Sequence, residues 1–103
     1  MSKSLEKTGL DFSMRIGEVV RYFRDDGKGF PLCDRLLACG VNAGLCIRRG
    51  KMREAAEFVE EADYIIETAV AGGYLTPHQD KHIRADCANL LKMINENKGG
   101  QTK

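Results

Sequence analysis

With 103 residues, 16 Lys/Arg against 15 Asp/Glu and a net charge of +1, the chain has room for one domain and one core. Strands are poorly supported: there is no sustained period-2 alternation and no Asn-Gly hairpin signal, and there are only two prolines. No secretory leader pattern opens the sequence and no run of about 18 apolar residues interrupts it, so an intracellular, reduced, cytoplasmic protein is expected.

The first ten residues are polar with weak periodicity and read as a flexible arm over 1–10. A first helix is predicted from about Asp11 to Asp25. Phe12, Ile16, Val19, Val20 and Phe23 fall on one apolar stripe there, and Gly27 ends it. A second helix runs from about Pro31, which suits a first turn, to Arg48, and Gly50 stops it. Its inner face is read as Cys33, Leu36, Leu37, Gly40, Gly44 and Ile47. Gly40 and Gly44 share one side, and each costs about 1 kcal/mol in a helix interior, so close approach of a neighbouring helix is expected there. Cys33, Cys39, Cys46 and Cys87 form no C-x-x-C pair, so they read as core thiols rather than zinc ligands.

The third helix spans about Met52 to Ala71. Ala55, Val59, Ala62, Ile66 and Ala69 repeat at 4-3 spacing, the seam of packed helices. Phe58 and Ile65 lie beside that seam and read as surplus apolar surface, hence as a candidate oligomer interface. Gly72-Gly73 close the helix. Thr76-Pro77-His78-Gln79 is a capping box that opens a fourth helix, to about Asn95, with Ile83, Cys87, Leu90, Leu91 and Ile94 inward. Residues 96–103 read as a flexible tail. Short connections make consecutive helices antiparallel, so residues 11–95 are predicted to form an all-α, up-down-up-down four-helix bundle.

Charge is unevenly distributed. Residues 11–53 hold nine Lys/Arg against five Asp/Glu, whereas residues 54–70 hold six Asp/Glu and no Lys/Arg. Arg48, Arg49, Lys51 and Arg53 crowd the turn between the second and third helices. A helix C-terminus favours Arg48 and Arg49, but a helix start disfavours Lys51 and Arg53. Phosphate contact explains that excess, with a solvated or protein-facing surface as the alternative. Arg21, Arg24 and Lys28 form a second basic strip at i, i+3, i+7. The acidic helix reads as a solvated face, or one that meets a basic patch on another copy. Without a Glu-x-x-His motif it offers no di-iron ligands. His78, His82 and Asp86 fall at i, i+4, i+8, a spacing open to a divalent metal. Lys81 and Arg84 crowd them, and no metal or other cofactor is expected. No nucleophile arrangement or phosphate loop is present, so no enzymatic activity is expected.

Gly29-Phe30-Pro31-Leu32 opening a helix with small residues inside, the Arg49-Gly50 turn, the Ala/Glu-rich helix and Gly73-Tyr74-Leu75-Thr76 before the last helix carry a resemblance. Over about residues 11–95 the chain resembles the four-helix-bundle proteins encoded in intervening sequences of bacterial large-subunit rRNA genes. It also resembles their relatives, the accessory variability proteins of diversity-generating retroelements. The resemblance implies a homopentameric barrel and no catalysis by the bundle. In the retroelement branch it also implies binding to a reverse transcriptase and to RNA or an RNA–DNA hybrid. The broader family usually carries an acidic residue before the turn glycine. Arg48-Arg49 at that place favours the basic, retroelement-like version, with a protein-only scaffold of the intervening-sequence type as the alternative.

Overall fold

Four helices, α1 (Lys3–Asp26), α2 (Cys33–Arg48), α3 (Met52–Ala71) and α4 (Lys81–Gln101), make up the computed structural model, which describes residues 3–101 and side chains as far as Asn97. No strand occurs among the described residues. The chain forms a rod with extents of 47 × 20 × 18 Å. Helix α1 packs against α2 and α4, and α3 packs against the same two, so α1 and α3 sit diagonally across one shared core. None of the helices is long and apolar enough to cross a membrane among the described residues.

The arm expected over 1–10 is, from Lys3 onward, the start of α1; residues 1–2 lie outside the described residues. Leu5 and Gly9 are buried and extend the stripe of Phe12, Ile16, Val20 and Phe23 backwards by two turns. Gly9 hides this in the sequence: it occupies a core position without an apolar side chain. A Cβ there would stand 3.0 Å from Ile47 Cδ1. At the other terminus, the tail expected from residue 96 is α4 as far as Gln101, and residues 102–103 lie outside the described residues. Apolar periodicity ends at Ile94, but residues 95–98 contain no helix breaker, so the backbone stays helical past the end of that stripe.

The α1–α2 contact shows why α2 tolerates glycine. A Cβ on Gly40 would lie 2.7 Å from Ile16 Cβ, and one on Gly44 would lie 2.5 Å from Ser13 Oγ. The Ser13 hydroxyl donates to the Gly40 carbonyl at 2.6 Å, with the Gly9 carbonyl at 3.1 Å. Gly9 beside Gly44 at one end and Arg24 beside Asp34 at the other set the two helices antiparallel. Helix α2 begins two residues later than Pro31, after a turn, and its inner face takes Cys39 and Ala43 where Leu37 was expected; Leu37 is half-buried.

Helices α2 and α3 end in the same device. The N–H of Lys51 donates to Cys46 (2.8 Å) and that of Gly50 to Ile47 (3.0 Å); Tyr74 donates to Ala69 (2.8 Å) and Gly73 to Val70 (3.1 Å). These are Schellman motifs, and the residue that needs the left-handed conformation is Gly50 (φ 75°) in the first and Gly73 (φ 82°) in the second. Gly72, expected as the stop, stays right-handed with φ −85°. The capping box forms, but it closes a turn over residues 77–80, and the continuous helix starts at Lys81. Phe23, Phe30 and Tyr74 stack in series, with centroids 4.7 and 4.9 Å apart, and seal the end of the rod where the α1–α2 and α3–α4 loops lie.

Candidate nucleic-acid interface

The opposite end of the rod carries the α2–α3 turn. The Schellman geometry leaves Arg48 in the last turn of α2, Arg49 as its C-cap and Lys51 as the residue that caps α3. All three, and Arg53, are exposed. No side chain caps α3, so the partial positive charge of its first N–H groups is not offset by an acceptor from Lys51.

Ion pairing separates the arginines of this cluster from the other arginines of the chain. Arg15 lies 3.3 Å from Asp86, Arg21 3.6 Å from Asp25 and Arg24 2.7 Å from Asp34. Arg35 is forked on Glu61, holding that carboxyl below its usual range through the hydrogen bond. Arg84 meets Asp63 at 3.1 Å, Glu67 at 3.7 Å and Asp80 at 3.8 Å. Every arginine outside residues 48–53 thus has a carboxylate within 4 Å, whereas Arg48, Arg49, Lys51 and Arg53 have none among the described residues.

The second basic strip does not join the first. Arg21, Arg24 and Lys28 sit at the aromatic-sealed end, because α1 runs antiparallel to α2, and each is paired, Lys28 with Asp26 at 3.6 Å. Arg21 meets Asp25 within α1, and Lys28, in the loop just past α1, meets Asp26, whereas Arg24 is neutralised by Asp34 of α2, whose approach the sequence alone does not show.

Phe58 and Ile65 are not surplus surface. Ile65 is 4% exposed and Phe58 is half-buried against the core, because α3 faces both α2 and α4 and needs a wide apolar arc. The exposed apolar residues lie elsewhere. Leu10 (50%) and Val41 (51%) flank a groove between α1 and α2 whose floor is Ser13 and Gly44, and Met14 (64%) is exposed one turn along α1 from Leu10. Sequence reasoning missed this groove: Leu10 fell in the presumed arm, and Val41 reads as an ordinary surface residue of α2.

The remaining candidates do not assemble. His78 lies in the turn before α4, not on its face with His82, and Asp86 is engaged by Arg15. No group of three metal-ligating side chains occurs among the described residues. All four thiols are free; Cys33, Cys39 and Cys87 are buried and Cys46 is half-buried. Burial pushes Cys39 up to about 11, with Glu61 adding to it, and Cys87 up to about 12, with Asp63 and Asp86 adding to it. Thiols so placed are protonated and unreactive at neutral pH.

The fold is a known one. It matches the crystal structure of a protein of unknown function from the S23 ribosomal protein family of Bacteroides thetaiotaomicron with a TM-score of 0.82, covering 87% of this chain and 94% of that one. The two sequences are 22% identical, so the likeness speaks for the fold. No protein-family model and no curated protein matches the sequence.

Proposed function

We propose that this chain is a non-enzymatic accessory protein that binds nucleic acid through the α2–α3 turn. One observation carries the reading: Arg48, Arg49, Lys51 and Arg53 are exposed and unpaired at one end of the rod, while every other arginine is matched to a carboxylate. Unpaired cations beside an uncapped helix start favour a polyanion, since phosphates supply the missing negative charge and release their own counterions. The resemblance stated above supplies the finer reading: an up-down-up-down bundle assembled as a homopentameric barrel, acting with a reverse transcriptase in a diversity-generating retroelement, in the cytoplasm. The exposed α1–α2 groove favours a second reading, a protein-only oligomeric scaffold of the rRNA intervening-sequence type.

Fluorescence anisotropy on structured RNA and RNA–DNA hybrids across salt tests the first reading. Binding should weaken with a log–log salt slope of about −0.9 per phosphate contacted, up to about −3.6 per chain. Failure to bind at low salt, or binding indifferent to salt, rejects the nucleic-acid reading and leaves the scaffold. Co-purification with the reverse transcriptase encoded nearest to the gene tests the protein partner separately.

A further inference from the structure

The α1–α2 groove is framed by charges that do not use each other. Glu6 stands on its α1 side and Arg48 on its α2 side, at the same end of the rod, and neither has an ion-pair partner among the described residues. Because α1 and α2 run antiparallel with Gly9 beside Gly44 and Ser13 beside Gly40, the two rims descend in step. Glu6, Leu10 and Met14 on α1 face the same heights as Arg48, Leu45 and Val41 on α2. Each rim is therefore an acid or a base followed by two apolar side chains, and each complements the other helix of another copy. Among the described residues, the other exposed large apolar side chains, Tyr22, Leu32 and Tyr64, are scattered and form no second strip.

We infer that this face is where copies of the chain meet, with α1 of one copy laid against α2 of the next and all copies pointing the same way. Glu6 of one copy then reaches Arg48 of its neighbour, while Leu10 and Met14 cover Leu45 and Val41. The reversed orientation, with the grooves kept in contact, loses this match, because it brings Glu6 level with Val41 instead of Arg48. Packing in one direction suits a two-fold pair or a closed ring equally. It also gathers every α2–α3 turn at one end of the assembly, so that Arg49, Lys51 and Arg53 of several copies form one polycationic surface that a polyanion can span. The inference rests on the oligomeric part of the proposed function, not on its nucleic-acid part.

Sedimentation equilibrium on the full chain tests it, with circular dichroism to confirm that each variant keeps its helices. Wild type should be oligomeric, and Leu10→Glu with Val41→Glu should sediment at the mass of one chain. Glu6→Lys alone and Arg48→Glu alone should each weaken association by about ten-fold, as like charges meet at the contact, and the double swap should restore it. A monomeric wild type overturns the inference, whatever its affinity for RNA. So does an oligomer that survives Leu10→Glu/Val41→Glu or shows no recovery in the charge swap; that outcome leaves self-association standing and moves it to another face.

Discussion

At Gly40 the helix gives up about 1 kcal/mol of intrinsic propensity relative to alanine. The return is backbone proximity: Ser13 reaches the Gly40 carbonyl at 2.6 Å, and Ile16 fills the space where a Cβ would stand. An added methyl at 2.7 Å from both Cβ and Cγ2 of Ile16 meets the stiff, branched base of that side chain, so α1 itself must move. Gly40→Ala should therefore lose about 1–2 kcal/mol despite its better propensity, because overpacking costs about 1–3 kcal/mol. Gly17→Ala should do the opposite. Gly17 lies inside α1 with nothing within 4 Å of its would-be Cβ, so the substitution should gain up to about 1 kcal/mol. Urea denaturation of the two variants reads the contrast directly, and equal signs would remove the close-approach explanation. The i, i+4 spacing of Gly40 and Gly44 made this contact legible from sequence. Gly9 was not legible, because a glycine at a core position leaves no apolar letter in the stripe.

Among the elements, α3 is the one whose bounds follow directly from its letters, and the reason is local. Its seam residues repeat without interruption, and both of its ends are set by glycine-bearing turns. What the letters of α3 could not show is the number of neighbours that its apolar arc meets. Arc width alone cannot tell a helix that packs on two partners from one that leaves Phe58 and Ile65 for another molecule. The start of α4 is different again, since the capping box is local but its attachment is not. The Thr76 hydroxyl accepts from the Gln79 N–H (3.1 Å), and Gln79 Oε1 accepts from the Thr76 N–H (2.8 Å). Gln79 Nε2 then donates to the Tyr22 hydroxyl of α1 (2.9 Å). Thr76→Ala should cost about 1 kcal/mol, as for the loss of an ordinary cap. Tyr22→Phe should cost less than about 0.5 kcal/mol, because the bond is exposed and Gln79 regains water. The double variant should be near-additive by chemical denaturation, since the cap and the cross-helix bond use different atoms of Gln79. A strongly non-additive result would mean that the cap holds Gln79 in place for Tyr22.

For the whole molecule, the two ends of the rod differ in kind. One is closed by Phe23, Phe30 and Tyr74, and its Arg21, Arg24 and Lys28 are paired; the other exposes Arg48, Arg49, Lys51 and Arg53 without a carboxylate partner among the described residues. The net excess of acid over residues 54–70 also resolves once partners are known. Glu61, Asp63 and Glu67 are engaged by Arg35 and Arg84, which leaves Glu54, Glu57 and Glu60 as the unpaired, exposed acids. These rise along α3 directly from the basic turn. At about 1.5 Å per residue, Glu57 stands about 6 Å and Glu60 about 10 Å along the helix from Arg53, within one screening length at moderate salt. A phosphate backbone is therefore repelled from the flank of α3 and drawn across the end of the rod. Arg21, some 15 residues along α1 from Glu6, which stands level with Arg48, is roughly 22 Å from that end, beyond two screening lengths. The three sets of charges should then respond differently in the same anisotropy measurement. Arg49→Glu with Arg53→Glu should weaken RNA binding sharply and flatten its salt slope by about 2. Glu57→Gln with Glu60→Gln should strengthen binding several-fold at low salt, with the gain fading as salt rises. Arg21→Glu should leave affinity unchanged within about two-fold. If Arg21→Glu weakened binding as much as the turn variants do, the contact would run along the rod, and docking across its end would be wrong.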